Sequence, residues 1–91
     1  MQIGIEHHNP WTVIKLEGNL DAATSPAVYQ EFRREFLHGG TRFQFDLGGV
    51  GLVDSSGLGV LVRCYRDARS RGGDICLSEV PDGIGRILHF T

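Results

Sequence analysis

The chain has 91 residues, 41% hydrophobic and 22% charged, with a formal charge of −2, which allows one ordered domain and excludes a multidomain enzyme. That balance lacks the basic excess on which nucleic-acid or membrane-surface binding rests, and Lys15 as the only lysine would have to carry any Schiff-base or phosphate-loop chemistry alone. Two cysteines, Cys64 and Cys76, are too few and too far apart for a zinc site or a CxxC pair, and without a signal peptide or long apolar run the expected compartment is the reducing cytoplasm, with both thiols in or near the core.

Gln2 to His7 alternates, with Ile3 and Ile5 on one side, and predicts a half-buried strand. Turn chemistry at His8-Asn9-Pro10 leads into a β-branched and aromatic run from Trp11 to Glu17, so the two strands form a hairpin. Ser25 is the expected N-cap of a helix with Pro26 at its first position, where the missing amide proton costs nothing. Val28, Phe32 and Phe36 give that helix an apolar stripe through Leu37, and His38-Gly39-Gly40 ends it. Arg42 to Leu47 is a strand with Phe43, Phe45 and Leu47 on one face.

After a glycine-rich lead-in, a helix is predicted from about Ser56 to Arg71. Leu58, Leu61, Val62, Tyr65 and Ala68 recur there at helical spacing, and Arg63, Arg66, Asp67 and Ser70 form its outer, solvated face. Asp74 to Val80 reads as a strand with Ile75, Leu77 and Glu79 on one face. A last short helix runs from Pro81 or Asp82 to about His89, with Ile84, Ile87 and Leu88 as its apolar side. The order implies an α/β fold with a mixed, mostly parallel sheet and helices mainly on one face, leaving the other dependent on residues such as Trp11.

In such sheets the functional crevice lies at the carboxyl ends of the parallel strands. Two loops there, Asn19 to Ser25 and Val53 to Gly57, place a carboxylate and hydroxyls before a helix N-terminus, which favours an anion. Enzyme readings fail on spacing. A nucleophile elbow needs glycine two residues before its serine, where Ser55 has Val53 and Ser56 has Asp54. The Gly-x-Gly triplets lack the third glycine of the dinucleotide fingerprint, and His7, His8, His38 and His89 make no metal-ligand spacing. No catalytic residue, cofactor or metal is expected.

The run Phe45-Asp46-Leu47-Gly48-Gly49-Val50-Gly51-Leu52-Val53-Asp54-Ser55-Ser56-Gly57-Leu58-Gly59-Val60-Leu61 resembles the central motif of the anti-sigma factor antagonists, the STAS family. Leu16 to Asp21 with Ala23-Thr24 is similar to the family's first loop, and Arg69 to Ile75 to its helix-to-strand turn, so the resemblance covers nearly the whole chain as a single STAS domain, residues 1–91. It implies a partner switch: the protein binds a serine-kinase anti-sigma factor of the ATPase type, is phosphorylated by it, and is restored by a PP2C-like phosphatase. Ser55 is the implied phosphoacceptor, with Ser56 second. Asp21, Thr24, Asp54, Ser55, Ser56 and Gly57 are the implied partner-binding residues. The other function class is a non-phosphorylated STAS scaffold in a larger regulatory or transport assembly.

Family members usually continue past a helix like the last one into another strand and a longer helix, and this sequence stops at Thr91. With that C-terminal strand and helix missing, apolar positions at Val60, Val62 or the last helix are expected to lie uncovered and to serve a homodimer.

Overall fold

The computed structural model describes residues 1–85. Its elements are β1 (Gln2–His8), β2 (Trp11–Leu20), α1 (Ser25–Leu37), β3 (Arg42–Val53), α2 (Ser55–Ser70), β4 (Asp74–Ser78) and α3 (Asp82–Gly85). The sheet order is β1-β2-β3-β4, with β1 antiparallel to β2 and the other pairings parallel. This is the mixed α/β sheet with an N-terminal hairpin that the periodicity predicts. Ile87 and Leu88, expected in the last helix, lie outside the described residues.

Strand pairing decides which side chains meet. Ile3 and Ile5 stand opposite Leu16 and Ile14, Ile14 opposite Phe45, and Phe43 and Phe45 opposite Ile75 and Leu77. Since alternate residues share a face, these form one apolar surface, and both long helices cover it. Phe32 of α1 sits 4.6 Å from Phe43 and 5.5 Å from Phe36, centroid to centroid. The opposite face is polar: Lys15 pairs with Glu6 and Gln44 donates to Ser78, while Val13 is the buried residue there and Trp11 is half-buried beside it.

Three of the differences from the expected boundaries have a visible cause. β3 continues six residues past Leu47, through its glycines, because β2 supplies a partner as far as Leu20 opposite Val53, with register shifts on the way. Glu79 adopts φ 54°, which breaks the alternation and ends β4 at Ser78. The N-cap of α1 is Thr24, not Ser25; Ser25 is already helical and buried.

The apolar stripe of α2 is rotated from the predicted one. Gly57, Val60, Leu61, Cys64 and Ala68 are buried, whereas Tyr65 is exposed and Val62 half-buried. The cause is Gly57: a Cβ there would collide with the Leu20 carbonyl and side chain, so glycine lets the first turn lie directly on the end of β2 and sets the helix's rotation. Val60 is therefore core, not part of an uncovered patch. Cys64 is buried as expected, but Cys76 is exposed, because Ile75 and Leu77 take the inward positions of β4.

Candidate functional site at the carboxyl edge of the sheet

β2 and β3 run parallel and end side by side, so the loops that follow them emerge together. The Asp54 amide donates to the Leu20 carbonyl at 3.2 Å, joining the two loops. Asp54 is the N-cap of α2: its extended backbone places Oδ1 2.9 Å from the Gly57 amide, satisfying one of the donors a helix start leaves free. With the cap supplied by Asp54, no hydrogen bond among the described residues engages the hydroxyl of Ser55 or Ser56, and both residues are exposed. Ser55 is the first residue of a 16-residue helix, where the dipole favours negative charge by about 0.3 to 1 kcal/mol.

The first loop is held by its own side chains. Asp21 Oδ1 accepts from the amides of Ala23 (3.0 Å) and Thr24 (3.1 Å). Thr24 Oγ1 accepts from the Asp21 amide at 3.0 Å and donates to the Asn19 carbonyl at 2.7 Å. Ser25 Oγ donates to the Asp21 carbonyl at 2.6 Å. Asp21 and Thr24 thus shape the loop beside Ser55 and Ser56, each half-buried. Gly57 is buried, and it positions the first turn of α2 against Leu20.

Between the two helices lies a groove of about 530 Å³, bounded by Pro26 and Tyr29 on α1 and by Ser56, Gly59 and Arg63 on α2. Sequence reasoning assigned Asp67 and Arg63 to a solvated face and missed what they do here. Tyr29 Oη donates to Asp67 Oδ2 at 2.6 Å, and the Arg63 guanidinium lies 4.1 Å from the Tyr29 ring centroid. Burial, then the bond to Asp67, raises the Tyr29 phenol above its ordinary value. The signal lay in residue spacing: Arg63 and Asp67, four apart, share one face of α2.

His7 contacts Glu35, His8 contacts Glu6 and His38 hydrogen-bonds the Arg34 carbonyl. All three lie at the hairpin end of the sheet, across the molecule from Ser55, so none of them stands as a base for either serine. Among the described residues no three His, Cys, Asp or Glu side chains converge on a metal position, and no helix is long and apolar enough to cross a membrane.

A family model described as "Mlab, STAS domain" matches residues 3–91. The chain belongs to the STAS domain family. This STAS chain is 31% identical to an anti-sigma F factor antagonist of Paenibacillus polymyxa, over all of this chain and 79% of that protein. The anti-sigma factor antagonist SpoIIAA in its unphosphorylated form superposes with a TM-score of 0.82 at 20% identity, covering 99% of this chain and 84% of the other. The phosphorylated form of SpoIIAA from Bacillus gives 0.78 at 19% identity, with 94% and 79% covered. These two likenesses establish the fold.

Proposed function

We propose that this STAS domain is a non-enzymatic, anti-sigma factor antagonist-like switch. It binds a serine-kinase anti-sigma factor, or an equivalent regulator, and is released when that kinase phosphorylates Ser55. The observation that carries the reading is the state of Ser55. Ser55 is exposed at the start of α2 and its hydroxyl is unengaged among the described residues because Asp54 supplies the cap, so a phosphate can be added without dismantling the helix. The antagonist relative from Paenibacillus polymyxa supports the partner class.

The physics of release needs no rearrangement of the fold. Phosphoserine adds roughly −1.5 to −2 charge. Against one partner carboxylate at about 4 Å and an effective dielectric near 20, repulsion is about 4 kcal/mol per unit charge, and about 3 kcal/mol already weakens binding on the order of a hundredfold. The helix dipole returns at most about 1 kcal/mol. A PP2C-like phosphatase would restore the binding state.

Incubation with an ATPase-type serine kinase and ATP, followed by mass spectrometry, is expected to place one phosphate on Ser55. Undiminished incorporation in Ser55→Ala, or a phosphate mapped to Ser56, refutes the assignment. The second reading is the other function class that the STAS resemblance implies, a non-phosphorylated subunit of a larger regulatory or transport assembly. It predicts no phosphate under the same conditions and co-purification with assembly components.

A further inference from the structure

We propose that the groove between α1 and α2 seats a helical, acidic segment of the protein partner, with Arg63 as the anchor for its carboxylate and the hollow at Gly59 receiving an apolar side chain. This deepens the reading above and rests on it in one respect, that the α2 N-terminus lies at a partner interface.

Charge complementarity selects the occupant. Arg63, which lines the groove, and Arg66, one turn further along α2, are both exposed. The nearby acid, Asp67, is engaged by the Tyr29 hydroxyl at 2.6 Å. Among the described residues no salt bridge involves Arg63 or Arg66. The Arg63 guanidinium is held against the Tyr29 ring at 4.1 Å, so an incoming carboxylate meets a cation whose position is already restricted, which reduces the ordering cost of binding.

Shape agrees with charge. A Cβ built on Gly59 meets nothing within 4 Å, so the backbone of α2 is open to a visiting side chain between Ser56 and Arg63. Ser55 and Arg63 are eight residues apart, about 12 Å along the helix, beyond the roughly 10 Å within which substitutions usually couple. The phosphate switch and the Arg63 anchor therefore act on the partner independently.

The test is an NMR titration of the ¹⁵N-labelled chain with a helical peptide of about 15 residues, long enough to hold helical structure, carrying Leu and Glu on one face, and with its twin bearing Gln for Glu. The acidic peptide is expected to shift the Ser56 and Gly59 amides and the Arg63 side chain, with affinity falling about tenfold in Arg63→Gln. Gly59→Leu puts a side chain into the groove from a Cβ position that meets nothing within 4 Å and improves helix propensity, so it is expected to stay folded and lose the peptide.

No shifts at millimolar peptide, equal affinity for the Gln twin, or indifference to both substitutions overturns the proposal. With the kinase of the preceding section, Arg63→Gln and Ser55→Glu are expected to weaken binding multiplicatively, within about twofold; equal binding of Arg63→Gln and wild type also overturns it. A kinase that fails to bind the wild-type chain sinks the functional reading instead, and the peptide result still decides the groove.

Discussion

Two glycines of α2, two residues apart, are expected to respond oppositely to the same substitution. A methyl group at Gly57 meets the Leu20 carbonyl, whereas one at Gly59 meets open space. Gly57→Ala is therefore expected to destabilise the chain by about 1 to 3 kcal/mol through overpacking, and Gly59→Ala to stabilise it by up to about 1 kcal/mol through helix propensity; paired denaturant melts would show this. Cys64 makes a second prediction at this scale. Burial pushes its thiol far above the ordinary value, so the unfolded chain loses that proton first as pH rises. The contribution is complete below about pH 8.5, the ordinary thiol value, and is lost above it at up to about 1.4 kcal/mol per pH unit. Stability measured from pH 8 to 10 should fall in the wild type and fall less in Cys64→Ala.

At the level of elements, the ends of α1 show what sequence can and cannot specify. Pro26 and Gly39 mark its limits: the helix spans Ser25–Leu37, ending where the pattern predicts and starting one residue earlier. Its C-terminus is also tied by a residue 35 positions away: Arg71 donates to the Phe36 carbonyl and lies 3.6 Å from the Phe36 ring centroid. No local pattern announces that. Arg71→Ala is expected to cost about 1 to 2 kcal/mol, the lost hydrogen bond plus the lost cation–π contact, read as a lowered thermal midpoint, with Arg71→Lys recovering part of it.

Long-range contact also explains the other departures. The extra length of β3 depends on β2 pairing alongside it, and the rotation of α2 depends on Leu20 beneath Gly57; period counting sees neither. At the candidate site, the sequence placed Asp54 and Ser55 at the start of α2, where the structure has them. It could not divide capping from exposure between them, because Asp and Ser are both good N-caps and only the backbone geometry chooses.

The whole molecule separates structure from signalling. The core lies on one face of the sheet, under both long helices. The exposed serines lie at the carboxyl edge of that sheet, outside the core, and the described histidines lie at the opposite end. A charge added at this edge meets solvent or a partner, so the account predicts a change in binding with no change in fold. Calorimetric titration of the cognate serine kinase with the unphosphorylated chain, and with the chain fully phosphorylated on Ser55, tests this most directly. The predicted result is affinity on the order of a hundredfold weaker after phosphorylation, with unaltered circular dichroism and thermal midpoint. Equal affinity for the two forms, or a loss of affinity that tracks unfolding, would contradict it.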